Sequence, residues 1–212
     1  MLVSLKRNDR GDTIVEVLFA VTIFAMLAVG ALSIMNQGLG IAQRALEINL
    51  VRQQIDAQTD ALRYLNQAYV ADYGKEITSG SPTDLWNKLI VKNTVRSAVS
   101  YDTMVTGTQC REMKNNLSGD VSADDTNAFA LDVTKLDNPA GDALLALSPA
   151  TTYAKVRYGA PQSTAEGISI QAVKSNADND FYDFHIRACW ASPGQAQPVL
   201  IGTIVRLYEP RG

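Results

Sequence analysis

From Val17 to Gln43 the chain carries no charged residue, and from Arg44 onward charges return between regularly spaced apolar positions. The uncharged run is long enough to cross a hydrocarbon core of about 30 Å, which takes roughly 20 helical residues. Ile41, Ile48, Ile55, Leu62 and Tyr69 recur every seventh position, with Val51 and Leu65 filling the turns between. Arg44, Glu47, Arg52, Asp56, Asp60 and Arg63 are assigned to other faces. That period predicts an amphipathic helix with one apolar stripe. No proline precedes Pro82, so a single helix is expected from Ile14 to Val70, ending near Tyr73-Gly74. Gly30, Gly38 and Gly40 are its weak points. Its second half needs a cover, which a globular head would supply.

After the helix the pattern changes. Ser81-Pro82-Thr83-Asp84 reads as a helix start, with Ser as N-cap and Pro at the first position, and Leu85, Trp86, Leu89 and Ile90 form an apolar side. Residues 100–127 are polar and turn-rich and read as a surface loop. Strands are expected over Ala128–Val133, Tyr153–Tyr158, Ile168–Val173, Phe181–Trp190 and Val199–Tyr208, all rich in β-branched and aromatic residues. Asn138-Pro139-Ala140-Gly141, Gly159-Ala160-Pro161 and Ser192-Pro193-Gly194 separate them. Such short connections imply antiparallel neighbours. In Phe181–Trp190 the alternation puts Tyr182, Phe184, Ile186, Ala188 and Trp190 on the core side, and Asp183, His185, Arg187 and Cys189 on the other. The expected fold class is α+β, a long N-terminal helix packed on an antiparallel β-sheet head.

The start of the chain resembles the class III signal and N-terminal helix of type IV pilins and the related pseudopilins. Lys6, Arg7 and Arg10 form a short basic leader, Gly11 follows, and Glu16 is the fifth residue after it, at the head of the apolar run. The resemblance implies cleavage by a prepilin peptidase between Gly11 and Asp12. The family usually begins its mature chain with Phe or Met, which is then N-methylated; this chain has Asp12. Glu16 would pair with the N-terminus of a neighbouring subunit during assembly. The implied organisation is a leader over 1–11, a transmembrane and filament-core helix over 12–40, its amphipathic half over 41–73, and a β-rich head over 74–212. The implied partners are other pilin subunits and, before assembly, the inner membrane. The head would lie outside the cytoplasm, then in an extracellular filament. An uncleaved signal anchor fits the apolar length equally well but gives no reason for Glu16, because a charge inside a membrane costs about 2–4 kcal/mol. A cleaved secretory signal would have a shorter apolar region.

Composition narrows the rest. Of 212 residues, about 140 remain for one soluble domain. A net charge of −3 and a pI of about 5.2 give no basic surface for nucleic acid. Cys110 and Cys189 are the two cysteines; in an exported head they form one bridge, the alternative being two buried thiols. His185 is the single histidine; a catalytic triad would have to use it, but it falls in an expected strand and the chain has no Gly-x-Ser-x-Gly turn, and the want of His partners argues against a zinc site. There is no phosphate-binding glycine motif. Asp120, Asp124 and Asp125, and Asp178, Asp180 and Asp183, are acidic clusters without an EF-hand pattern, better explained as solvated turns. No enzyme activity, cofactor or metal is therefore expected. The function expected is a structural subunit, with a slight lean to a minor one, of a type IV pilus or related filament. The alternative is a membrane-anchored or pilus-tip binding module, with 100–127 and the loop after Trp190 as contact sites.

Overall fold

The computed structural model describes residues 12–107, 109–110, 127–133, 167–192 and 195–210. The expected leader, the strand at Tyr153–Tyr158, the turns at 138–141 and 159–161, and Asp120, Asp124 and Asp125 lie outside them. Contacts divide the chain into two units, Met1–Ala45 and Leu46–Gly212.

Helix α1 spans Asp12–Asp72 without interruption, through Gly30, Gly38 and Gly40. Within the first unit its described side chains are uncovered: Phe19, Phe24, Met26 and Leu32 are each more than 60% exposed. Among the described residues this is the one helix long and apolar enough to cross a membrane. The second unit begins with the amphipathic half. Val51, Ile55, Leu62, Leu65 and Tyr69 are buried there and Ile48 is half-buried, whereas Ile41 is exposed. The stripe is thus covered from Ile48 onward. Glu47, expected on another face, is buried as well. Helix α2 spans Pro82–Leu89; the Ser81 hydroxyl accepts from the Asp84 N–H at 3.3 Å, the N-cap predicted from sequence.

Among the described residues six strands follow: β1 (Thr94–Val95), β2 (Val105–Thr106), β3 (Gln109–Cys110), β4 (Gly167–Val173), β5 (Phe181–Trp190) and β6 (Val199–Tyr208). The main sheet has the order β1-β4-β5-β6, and β2 and β3 form a separate antiparallel pair. β4, β5 and β6 are antiparallel, as their short connections require. The sheet as a whole is mixed, because β1 runs parallel to β4 with Thr94 opposite Ala172. A parallel pair needs a crossover of a dozen or more residues, and the chain between Val95 and Gly167 is long enough to supply one. Ala128–Val133 forms no full strand; Phe129 makes one antiparallel bridge to Ile170. β1 and Phe129 therefore share the same edge of β4.

The sheet has two covered faces. On the front, Ile168, Ile170, Ala172, Tyr182, Phe184, Ile186, Ala188 and Trp190 join α1 and α2 in one core. Trp86 is its hub, stacked on Tyr69 with centroids 5.0 Å apart and edge-on to Tyr182 and Phe184. On the back, Val99, Met104 and Ala128 form a second cluster with Cys110 and Leu200. The stretch from residue 100 is therefore a lid on the sheet at Met104 and Cys110 rather than a purely solvated loop. All seven residues of β4 are buried.

Gln58 ties α1 to the edge of this arrangement. Its Nε2 donates to the Leu131 carbonyl at 2.7 Å and its Oε1 accepts from the Leu131 N–H at 2.8 Å. A buried side-chain amide thus takes the place of a neighbouring strand. Gln58→Leu leaves both backbone groups of Leu131 buried without partners, and each such group costs about 1–3 kcal/mol. Urea unfolding of the full chain in detergent is expected to show a loss of about 2–4 kcal/mol, with the disulfide kept intact.

Candidate functional site

The residues implicated by the sequence fall into the two units. Gly11 lies outside the described residues, and Asp12 is the first residue of α1. Glu16 stands one turn further along, exposed, with apolar Ile14, Val17, Phe19 and Ala20 around it on the helix. Among the described residues no cation pairs with it. A carboxylate in so apolar a surface calls for a counter-charge.

At the start of the head unit a second carboxylate is fully paired. Glu47, 3% exposed, accepts through Oε2 from Trp190 Nε1 at 3.1 Å and from Ser192 Oγ at 2.6 Å. Glu47 precedes Val51 by one turn, so it lies on the covered stripe. The indole N–H and the hydroxyl satisfy it there. Trp190 is thus a core residue, with its one polar atom bonded to the helix.

Cys110 and Cys189 form a disulfide. Cys189 is on the back of β5 and Cys110 is in the lid, so the bond fastens the lid to the sheet. The side chains near it form a polar network. Gln171 Oε1 accepts from the Val99 N–H at 3.0 Å and from Arg187 Nη1 at 3.3 Å. Arg187 Nη1 also donates to the Val99 carbonyl. The Tyr101 ring lies over the guanidinium, 4.7 Å from its carbon. Burial draws the Arg187 pKa down and the nearby Tyr101 raises it again; an arginine remains cationic throughout the working range.

Gly202 opposes Arg187 across the β5–β6 pair. A Cβ at this position would stand 2.6 Å from the Ile186 carbonyl oxygen and from Tyr101 Oη. The residue is glycine because the lid crosses the sheet at that point. Arg187 Nη2 donates to His185 Nδ1 at 2.9 Å, which places the imidazole proton on Nε2. Burial, then the Arg187 charge, lowers the His185 pKa, with Asp183 opposing them. Asp183 is held below the usual carboxylate range by Arg206, whose Nε and Nη2 bond it at 2.7 and 2.8 Å. Arg206 also lies over the Phe181 ring.

No protein-family model, curated protein or solved structure matches the chain. Its chemistry must therefore be read from its own residues. Among the described residues no three His, Cys, Asp or Glu side chains gather where they would hold a metal ion. Asp183 is engaged by Arg206, and the Asp180 carbonyl accepts from the Glu209 N–H at 2.8 Å.

Sequence reasoning missed two residues. The spacing of Glu47 from Val51 was a signal for burial, but a charge suggests solvent. For Arg187 the strand alternation gave the correct face, but nothing in it reveals a lid.

The His185 pKa is lowered in the folded state, so below about 6.5 the unfolded chain binds more protons. Stability is expected to fall as pH drops through that point. Thermal midpoints of the full chain in detergent between about pH 7.5 and 5 check this, and His185→Gln should flatten that part of the profile. Loss from Asp183 begins only at lower pH, below the ordinary carboxylate value. Reduction of Cys110–Cys189, which are 79 positions apart, should cost about 4–5 kcal/mol in the loop-entropy account, measured by urea unfolding with and without reductant.

Proposed function

We propose that this chain is a structural subunit of a type IV pilus or related filament, made as a precursor and assembled through its N-terminal helix. The observation that carries the reading is Glu16, a carboxylate without a partner among the described residues, placed five positions after Gly11 at the head of a bare apolar helix. A membrane span alone gives no use for that carboxylate. A bundle of identical helices does.

In this reading the precursor sits in the inner membrane with its basic leader inside and its head outside. Water, with a prepilin peptidase as catalyst, cleaves the Gly11–Asp12 peptide bond, leaving a carboxylate on Gly11 and an α-ammonium on Asp12. During assembly the exposed residues of α1, among them Phe19, Phe24 and Leu32, exchange lipid for the same surfaces of neighbouring subunits. Apolar burial is nearly conserved in that exchange, so it provides little selectivity. Register comes from Glu16 facing a neighbour's ammonium, a pair whose disruption costs about 3–5 kcal/mol once desolvated. Asp12, beside the same ammonium, competes with Glu16 for it.

The head unit supports this reading through its own stability. Its core covers α1 from Ile48 to Tyr69, and its disulfide suits an oxidising compartment. Glu16→Ala is expected to leave membrane insertion intact and to lower incorporation into filaments by roughly a hundredfold. Quantitative immunoblotting of sheared filaments against membranes measures this. Incorporation equal to wild type would refute the assembly role. N-terminal sequencing of protein from its own cells should give a chain beginning at Asp12; one retaining Lys6 and Arg7 would make the helix a plain anchor.

A further inference from the structure

Arg187 is 3% exposed, and among the described residues no carboxylate pairs with it. Its Nη atoms are bonded to the Val99 carbonyl, Gln171 and His185, all neutral groups, while its Nε is buried with no partner. A buried charge held only by neutral acceptors and one ring is costly, and a counter-ion beside it relieves much of that cost. The same side chain lines a cleft of about 540 Å³ behind the sheet, with Arg96, Ser97, Ser100, Tyr101 and His185 around it. Two carboxylates border the cleft, Asp102 and Asp183. Asp183 is neutralised by its two bonds to Arg206. Two arginines therefore face one uncommitted carboxylate.

We propose that this cleft binds a small oxyanion, a carboxylate or phosphate group, with Arg187 as its buried counter-charge. Arg96 and the hydroxyls of Ser97, Ser100 and Ser175 add donors, and the neutral His185 adds its Nε2–H. Planar guanidinium groups and hydroxyls are the donor set that carboxylate and phosphate oxygens accept from most strongly. Arg96 and Ser97 are exposed, so the site opens to solvent while its charge stays desolvated. The site does not depend on filament assembly.

The test is a titration of the full chain in detergent with inorganic phosphate, acetate and chloride at constant ionic strength, following the Arg187 Nε–H resonance. Saturable movement with phosphate or acetate in the millimolar range is expected, without an equal response to chloride. Response to phosphate alone assigns the site to phosphate groups, and response to both assigns it to oxyanions generally. Because Arg187 variants risk misfolding, the double variant Arg96→Ala, Ser97→Ala is compared. It should bind at least about tenfold more weakly with an unchanged melting temperature in the absence of anion. No saturation below about 50 mM, a response to chloride of the same size, or unchanged affinity in the double variant would overturn the proposal.

Discussion

The apolar side of α1 between Ile48 and Tyr69 must be removed from water, and the head unit is arranged around that requirement. Each Val, Leu or Ile taken out of solvent contributes about 1.5–3 kcal/mol, so Val51, Ile55, Leu62 and Leu65 together form a strong template. The front of β4 and β5 meets it with Ile168, Ile170, Phe184 and Ile186, and Trp86 of α2 fills the space beside Tyr69. Polar atoms caught in this layer are satisfied individually. Glu47 takes the Trp190 indole and the Ser192 hydroxyl, and Gln58 takes the Leu131 peptide. Trp86 Nε1 is the exception, buried without a partner among the described residues.

The back of the sheet is built on a different principle. Beside the small apolar cluster of Val99, Met104, Ala128 and Leu200, its inward side chains include Gln171, His185, Arg187 and Cys189, and the lid over them contributes backbone groups, the Met104 sulfur and the Tyr101 ring. Covalent and polar links add to the apolar burial of that cluster. The Cys110–Cys189 bond holds one end, and the Val99 N–H and carbonyl are both bonded to side chains of the sheet. Its hydrogen bonds contribute less than apolar packing does, because each one made on folding replaces one to water. The layer also keeps a charge and a cleft next to each other, which an aliphatic layer would not.

The two halves of α1 follow from one sequence signal that changes character along its length. Before Arg44 the apolar residues lie all round the helix, which leaves no polar face to turn toward water; in the head unit they narrow to a stripe. The first pattern calls for lipid or other helices, the second for a folded head.

Local chemistry determined much of this molecule. The uninterrupted α1, the Ser81 cap of α2, the spans of β4, β5 and β6, and the core-facing side of β5 each depend on periodicity or on one residue's geometry, and each was legible from the chain itself. So was the pattern from Lys6 through Gly11 to Glu16, on which the proposed function rests. Contacts between distant segments were decided only by the tertiary structure. The parallel pairing of Thr94–Val95 with β4, the bridge from Phe129 to Ile170 and the burial of Met104 depend on contacts between distant segments, which no local pattern encodes. Glu47 looked like a surface charge because the donors to its carboxylate are more than a hundred residues away. Arg187 was placed on the correct face, yet its burial follows from the lid, which reaches it only because Gly202 leaves room and Cys110 finds Cys189.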